Sequence, residues 1–229
     1  MATRIEITAK DGSQVSGELA LPAGTGKAPG LVLIQEWWGV NDHIRDLADR
    51  FAAEGFVVLA PDLYHGVATK DATEAGKLMT ELDGMRAFGD IQAAVHALHA
   101  HPRVNGKVGV TGFCMGGAYT FVAATRIPEV SAAVPFYGVP PEGRADYAHA
   151  KPIMAHFART DPWATVEKAE AILKEVTSHG GSMVLHVYDA EHAFVNDTRP
   201  EVYNVDAAKL AWQRSVTFLH QHLGLASAS

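Results

Sequence analysis

The alternation of short apolar runs with longer amphipathic segments constrains the fold of this 229-residue chain more than any other feature. Six apolar runs have the length of strands and occupy residues 31–35, 56–60, 107–111, 132–137, 152–157 and 183–188. Segments of helical length lie between and after them, at residues 42–54, 85–101, 115–126, 165–179 and 205–223. Buried strands that alternate with helices form a mostly parallel sheet with helices on both faces. The pattern therefore predicts an α/β protein.

The N-terminal segment departs from this alternation. It carries a turn signal at Asp11-Gly12. Apolar residues flank the turn on both sides (Ile5, Ile7, Val15, Leu19 and Leu21). Such a turn between apolar runs favours an antiparallel hairpin, which we expect at the edge of a mixed sheet. Residues 66–84 have weak periodicity and receive no assignment, and the tail at residues 226–229 is expected to fray.

The composition favours a single compact domain over residues 1–229, since 48% of the residues are hydrophobic and 20% are charged. A net charge of -7 argues against a nucleic-acid or membrane partner, because both need a basic face. The N-terminus lacks the apolar core of a signal peptide, and no run is long enough to span a bilayer. We therefore expect a cytoplasmic protein that acts on a small molecule, as a monomer or a small homo-oligomer.

The strongest functional signal is a strand that leads through Gly112-Phe113-Cys114-Met115-Gly116-Gly117 into an alanine-rich helical segment. This is the nucleophile-elbow pattern with sulfur in place of oxygen, and its glycines avoid collisions in a sharp strand-to-helix turn. Unpaired N–H groups at a helix N-terminus stabilise a thiolate and an oxyanion. Cys114, the only cysteine, is thus the candidate nucleophile, with the Met115 N–H as an oxyanion donor. The alternative is an inert, buried cysteine.

A matching acid and base follow later in the chain. Enzymes with this elbow carry nucleophile, acid and histidine in that order, with the last two at late strand ends. Asp161 follows the run 152–157, and His192 follows the run 183–188. A histidine accepts the thiol proton and returns it to the leaving group, while a carboxylate fixes its tautomer. The order predicts a triad of Cys114, His192 and Asp161.

The remaining histidines offer no comparable signal. His96, His99 and His101 lie on one amphipathic segment, without cysteines or carboxylates at ligand spacing. We therefore predict no metal site, and the chemistry of the triad requires no cofactor.

Five motifs, taken together and in order, resemble the dienelactone hydrolase (carboxymethylenebutenolidase) family over residues 31–220. They are Gln35-Glu36-Trp37-Trp38-Gly39-Val40-Asn41, Ala60-Pro61-Asp62-Leu63-Tyr64, the elbow 112–117, Phe136-Tyr137-Gly138-Val139, and Glu191-His192-Ala193-Phe194. The resemblance implies an α/β-hydrolase fold and the cleavage of an ester or lactone through an acyl-cysteine.

The resemblance also implies roles that spacing alone does not give. Glu36 would help to deprotonate Cys114, since a buried carboxylate needs a hydrogen-bond partner and a thiol proton supplies one. The alternative is that Glu36 caps the following helix. The Trp37 N–H would be the second oxyanion donor. The candidate substrate contacts are aromatic: Tyr64, Trp163, Phe113 and Tyr137.

This sequence departs from the family at the substrate carboxylate. In the family, one arginine lies four residues after the catalytic histidine and another follows the Pro-Asp-Leu-Tyr motif. Here Asn196 occupies the first position, and residues 66–84 contain no arginine. We therefore expect a preference for neutral esters and lactones, unless Arg86 or Arg199 reaches the substrate from another direction.

Two other functions remain open at this point. A cysteine-dependent thioesterase or acyltransferase would use the same acyl-enzyme, because several nucleophiles can resolve it. A catalytically silent binding protein could retain the fold, since a fold does not determine a function.

Overall fold

The computed structural model describes residues 1–224, so the predicted fraying of residues 226–229 lies outside the described residues. Eight strands form a single sheet in the order β1-β2-β4-β3-β5-β6-β7-β8. The strands are β1 Thr3–Thr8, β2 Gln14–Ala20, β3 Ala28–Ile34, β4 Val57–Pro61, β5 Val104–Phe113, β6 Val130–Phe136, β7 Ile153–Ala158 and β8 Met183–Tyr188.

The N-terminal strands form the predicted hairpin at one edge of the sheet. β1 pairs antiparallel with β2, and β2 pairs antiparallel with β4. The turn between them uses Gly12 at a φ of 86°, a left-handed conformation that glycine adopts without steric cost. The remaining neighbours, from β4 through β3 to β8, are parallel, so the sheet is mixed as expected. All the parallel strands thus end at the same side of the sheet.

Helices cover both faces of the sheet. They are α1 Asp42–Ala53, α2 Ala72–Glu81, α3 Gly84–Ala100, α4 Met115–Arg126, α5 Val166–Ser178 and α6 Val205–Leu223, with a short 3₁₀ turn at Tyr147–His149. Alternate residues of β3 point to opposite faces, so that Leu31 and Leu33 pack with α1 and α6. Val32 and Ile34 pack with α3 and α4 on the other face. Within residues 1–224, no helix combines the length and the apolar character that a membrane span requires.

The helix ends follow local capping chemistry. Asn41 begins α1 by accepting a hydrogen bond from the Ile44 N–H at 3.1 Å, as an N-cap residue does. Asp71 begins α2 in the same way, through the Glu74 N–H at 2.8 Å. The helix α2 lies in the segment to which the sequence assigned no structure.

Candidate active site

Cys114 occupies a strained turn between β5 and α4. Its φ of 57° and ψ of -117° lie outside the regions that residues with a side chain normally adopt. Such a conformation costs on the order of 1–3 kcal/mol, and surrounding structure must enforce it. A hydrogen bond from the Cys114 N–H to the Phe136 carbonyl, at 3.1 Å, ties the turn to the end of β6. The thiol makes no capping bond to α4 and is partly exposed, so it is available to react.

The glycines of the elbow are required by close backbone packing, as the sequence predicts. A Cβ atom at Gly112 would collide with the Gly116 carbonyl, and one at Gly116 would collide with the Ile34 and Gln35 carbonyls. The start of α4 therefore lies directly against the end of β3. This contact places the N-terminus of α4 beside Gln35, which begins the loop that carries Trp37.

Asp161 and His192 meet at the carboxyl ends of β7 and β8. The Nδ1 atom of His192 lies 2.5 Å from Oδ2 of Asp161. The other Asp161 oxygen accepts hydrogen bonds from the Trp163 N–H at 2.8 Å and the Ala164 N–H at 2.9 Å. The Asp161 side chain is fully buried, and that of His192 is 15% exposed. The carboxylate is thus held from one side by the backbone and presents one oxygen to the imidazole.

His192 lies within the electrostatic influence of Cys114. Burial disfavours the imidazolium, but the hydrogen bond to Asp161 and the interactions with the Cys114 sulfur outweigh it and raise the pKa of His192 to about 10. Because Nδ1 is engaged by Asp161, Nε2 is the ring nitrogen that remains for the thiol. The arrangement favours a proton on the imidazole.

Glu36 is buried at the carboxyl end of β3, with only 2% of its surface exposed. Its Oε2 atom accepts a 2.7 Å hydrogen bond from Nδ2 of Asn196, and its Oε1 atom is buried without a partner. Burial raises the pKa of Glu36 to about 7, although the Asn196 amide and the charges of His192 and Arg199 oppose the shift. No hydrogen bond joins Glu36 to Cys114 in the described part of the chain.

The alternative role for Glu36 is wrong, because Asn41 caps α1 and Glu36 does not. Asn196, which stands where the family carries an arginine, is the residue that hydrogen-bonds to Glu36. Asn196 is 1% exposed, and its side chain hydrogen-bonds to Glu36 in the protein interior. The sequence gives no local signal for this contact, since the two residues are 160 positions apart.

The aromatic candidates for substrate contact occupy different environments. Trp163 is 68% exposed and approaches the His192 ring edge-on, with 5.3 Å between ring centroids. Tyr64 is largely buried, and its hydroxyl lies 3.5 Å from the sulfur of Met115. Tyr137 contacts the His192 ring at 5.1 Å, with a φ of 34° and a buried hydroxyl that has no partner. Each of these three residues thus adjoins either His192 or the oxyanion candidate Met115.

Phe113 does not fit the expected role in substrate contact. Its side chain is fully buried and stacks on Phe136, with ring centroids 4.5 Å apart. The strand β5 directs this residue into the core while the next residue, Cys114, turns outward. We therefore assign Phe113 to core packing.

The histidines in and directly after α3 are dispersed. His96 lies 3.2 Å from the carboxylate of Glu129, and His101 accepts a hydrogen bond from the Arg103 N–H. Across residues 1–224, no three His, Cys, Asp or Glu side chains are grouped as metal ligands.

The strand order, the strained elbow and the acid and histidine at late strand ends define an α/β-hydrolase. The sequence model of the dienelactone hydrolase family matches residues 15–223. The chain belongs to the dienelactone hydrolase family and is a hydrolase of that type.

Relatives from several organisms match almost the whole chain. The chain is 37% identical to Protein usf of Aquifex pyrophilus, over 93% of this chain and 96% of that protein. It is 30% identical to carboxymethylenebutenolidase 1 of Cupriavidus pinatubonensis, over 94% and 95% of the two chains. The crystal structure of a dienelactone hydrolase-like promiscuous phosphotriesterase from metagenomic libraries matches 97% of this chain and 99% of its own, with a TM-score of 0.85 and 25% identity.

Proposed function

We propose that this hydrolase cleaves an ester or lactone through a thioester on Cys114, with His192 as the base and Asp161 as its orienting acid. The observation that carries the proposal is the 2.5 Å contact between His192 and Asp161 beside a cysteine in a strained elbow. A carboxylate that engages Nδ1 leaves Nε2 to accept the thiol proton, which is the geometry that a cysteine nucleophile needs.

The proposed reaction has two stages. His192 takes the thiol proton, and the thiolate attacks the carbonyl carbon, so that the carbonyl π electrons move onto oxygen. The Met115 and Trp37 N–H groups hold this oxyanion. The carbon–oxygen single bond then breaks, and His192 donates its proton to the departing alkoxide. In the second stage, His192 takes a proton from a water molecule, and the water oxygen attacks the thioester carbon. The carbon–sulfur bond then breaks, the acid is released, and the proton on His192 returns to the sulfur of Cys114.

Glu36 supports the first stage in this proposal. A carboxyl group with a pKa of about 7 is partly ionised at neutral pH and can accept a proton there. Its buried, unpartnered Oε1 atom is available for that exchange.

We propose neutral esters and lactones as the substrate class. The accessible aromatic surface beside His192 is that of Trp163, which favours an apolar acyl or alcohol group. Tyr64 and Tyr137 are buried beside the site, so they support it from the interior and offer little surface to a substrate. Asn196 is uncharged and 1% exposed, so the position where the family carries an arginine offers no charge to a substrate carboxylate.

The direct test is Cys114→Ala, assayed with small aryl esters and lactones. We expect kcat/KM to fall by about 10³-fold or more, because the covalent step is lost. Circular dichroism and thermal unfolding would verify that the variant folds. Mass spectrometry of the parent protein mixed with a slow ester should show an acyl adduct on Cys114, the sole cysteine. Unchanged turnover in Cys114→Ala would overturn the proposal.

A further inference from the structure

Asn196 and Glu36 form a buried pair next to the triad. The pair is joined by the 2.7 Å hydrogen bond from Nδ2 of Asn196 to Oε2 of Glu36, and neither side chain has more than 2% of its surface exposed. Asn196 lies four residues after His192, in the loop that follows β8. One short segment therefore carries both the proposed base and the hydrogen-bond donor to Glu36.

Thr198 fixes the orientation of the Asn196 amide. The Oδ1 atom of Asn196 accepts hydrogen bonds from the Thr198 N–H at 3.1 Å and from the Thr198 hydroxyl at 2.6 Å. A flip of the amide would break both bonds and would turn a carbonyl oxygen toward a carboxylate. The network of bonds thus assigns the amide nitrogen to Glu36 without ambiguity.

Resting on the proposed function, we propose that Asn196, locked by Thr198, is a positioning residue: it holds one oxygen of Glu36 so that the other exchanges a proton with the Cys114–His192 pair. The unpartnered Oε1 atom supports this, because a buried polar atom without a partner costs free energy, and a role in proton exchange explains why it is retained. An amide also has a property that suits this role: it binds the carboxylate without adding a positive charge.

The proton affinity of Glu36 follows from its neighbours. Burial raises its pKa, while the Asn196 amide, His192 and Arg199 oppose the rise. The hydroxyl of Tyr137 lies in the same electrostatic environment, since burial first and the charge of Glu36 second raise the pKa of Tyr137. A neutral donor leaves Glu36 with a pKa of about 7, where a carboxyl group can both take and release a proton near neutrality.

The decisive variant is Asn196→Asp. It retains an oxygen for the two Thr198 hydrogen bonds and places a second carboxyl group against Glu36. Two adjoining carboxyl groups share a proton, so the ionisation of Glu36 moves to higher pH. We expect the acidic limb of the pH profile for Cys114 alkylation by iodoacetamide to move up by about one pH unit. The acidic limb of the pH profile of kcat/KM for a neutral aryl ester should move by the same amount, with activity on that limb lowered about tenfold. The effect should fall on kcat, with KM little changed.

The same substitution in a Glu36→Gln background separates positioning from a structural role. In that background, adding Asn196→Asp should leave the pH profiles unchanged, because the Glu36 carboxyl whose ionisation it shifts is absent. The matched control is Asn105→Ala, which removes another amide whose Nδ2 makes a single long-range bond, to the Leu223 carbonyl at 3.0 Å. This control should lower the unfolding midpoint and leave both pH profiles in place.

The proposal is overturned if Asn196→Asp retains the parental profiles, or if its shift persists in Glu36→Gln. Should Asn196→Asp fail to fold, Thr198→Val loosens the lock while keeping Asn196, and an unshifted acidic limb in that variant would also overturn it. Persistent turnover in Cys114→Ala would instead refute the acyl-cysteine mechanism, so the two failures are distinguishable.

Discussion

At the scale of single residues, the two oxygens of Asp161 have separate partners, and this division makes Asp161→Asn informative. The asparagine oxygen would remain with the Trp163 and Ala164 N–H groups, which leaves its NH₂ group against Nδ1 of His192. The imidazole would then carry its proton on Nε2 and could not accept the thiol proton. We expect a loss of about 10³–10⁴ in kcat, measured with an aryl ester at neutral pH.

His192→Ala should cause a loss of similar size, and the double variant should lose little more, because the two residues act as one unit. His99→Ala is the matched control, since His99 is exposed on α3. It should retain parental activity. Independent effects that multiply in the double variant would contradict the triad.

A second prediction at this scale concerns substrate charge. Arg199 is 34% exposed, ion-paired with Glu201 at 2.8 Å, and placed over the Trp38 ring at 5.6 Å. Its guanidinium is engaged by Glu201 and Trp38 although its charge acts on Glu36, so Arg199 is the arginine to test against a carboxylated substrate. We expect a methyl ester to have a higher kcat/KM than the corresponding free acid.

Arg199→Ala should leave the methyl ester little affected. A strong parental preference for the acid, lost in Arg199→Ala but kept in Arg86→Ala, would show that Arg199 restores carboxylate recognition. Arg86 serves as the comparison because its guanidinium approaches the ring of His65, 3.4 Å away.

The residues of the proposed triad could be predicted because each carries a local signal. Cys114 lies in a glycine-flanked elbow, and Asp161 and His192 directly follow apolar runs. The pairing of Asn196 with Glu36 has no such signal, since it depends on how distant loops meet. Phe113 was misassigned because sequence proximity to the nucleophile does not reveal that its side chain points into the core.

At the scale of secondary-structure elements, apolar periodicity predicts those that bury a continuous face. The strand β8 and the helices α4 and α6 have the predicted bounds. The helix α2 was left unassigned because Ala75 is its only buried residue, which gives almost no apolar stripe to detect. The placement of β4 between β2 and β3 was also beyond the sequence, because pairing partners depend on the packed sheet.

A buried chain of hydrogen bonds links the strands that carry the acid and the histidine to α6. Tyr188 of β8 accepts from Arg214 at 3.2 Å and lies 2.8 Å from Nδ1 of His156 in β7. Nε2 of His156 lies 2.9 Å from the hydroxyl of Ser215, which donates to the Ala211 carbonyl at 2.7 Å. Because that hydroxyl proton is used, Nε2 of His156 is the donor and Nδ1 accepts from Tyr188.

This chain predicts an asymmetry between single and double variants. His156→Phe leaves the Tyr188 hydroxyl without its acceptor in the interior and should lower the free energy of unfolding by about 1–3 kcal/mol. Adding Tyr188→Phe removes the unpaired hydroxyl and should recover part of the lost free energy of unfolding. Urea unfolding measures both values. If adding Tyr188→Phe to His156→Phe lowered the free energy of unfolding as much as Tyr188→Phe does alone, the assigned chain of hydrogen bonds would be contradicted.

At the scale of the whole molecule, Glu36 couples the active site to the pH dependence of stability. Its pKa is raised from 4.5 to about 7, so the folded state binds more protons than the unfolded state between those pH values. Its contribution to stability is therefore fully present below pH 4.5 and is lost as the pH rises through 7. Over this window the loss amounts to about 3 kcal/mol, at about 1.4 kcal/mol per unit.

The contribution is isolated by comparison with Glu36→Gln, which keeps the shape and hydrogen-bonding capacity of the side chain without its titration. Other groups move stability in the opposite direction; for example, burial lowers the pKa of His156, so that group favours folding as the pH rises toward 6.5. Such terms are common to both proteins and cancel in the difference. From about pH 4.5 to 7.5, the free energy of unfolding of Glu36→Gln should therefore increase relative to that of the parent by about 3 kcal/mol, measured by urea unfolding at each pH. A difference that stays constant across this range would show that Glu36 titrates alike in the folded and unfolded chains, and that the protein holds its buried carboxyl group ionised. Since the same group is proposed to exchange a proton with Cys114, a stability difference that changes over the same pH interval as the acidic limb of Cys114 alkylation would tie both effects to one ionisation.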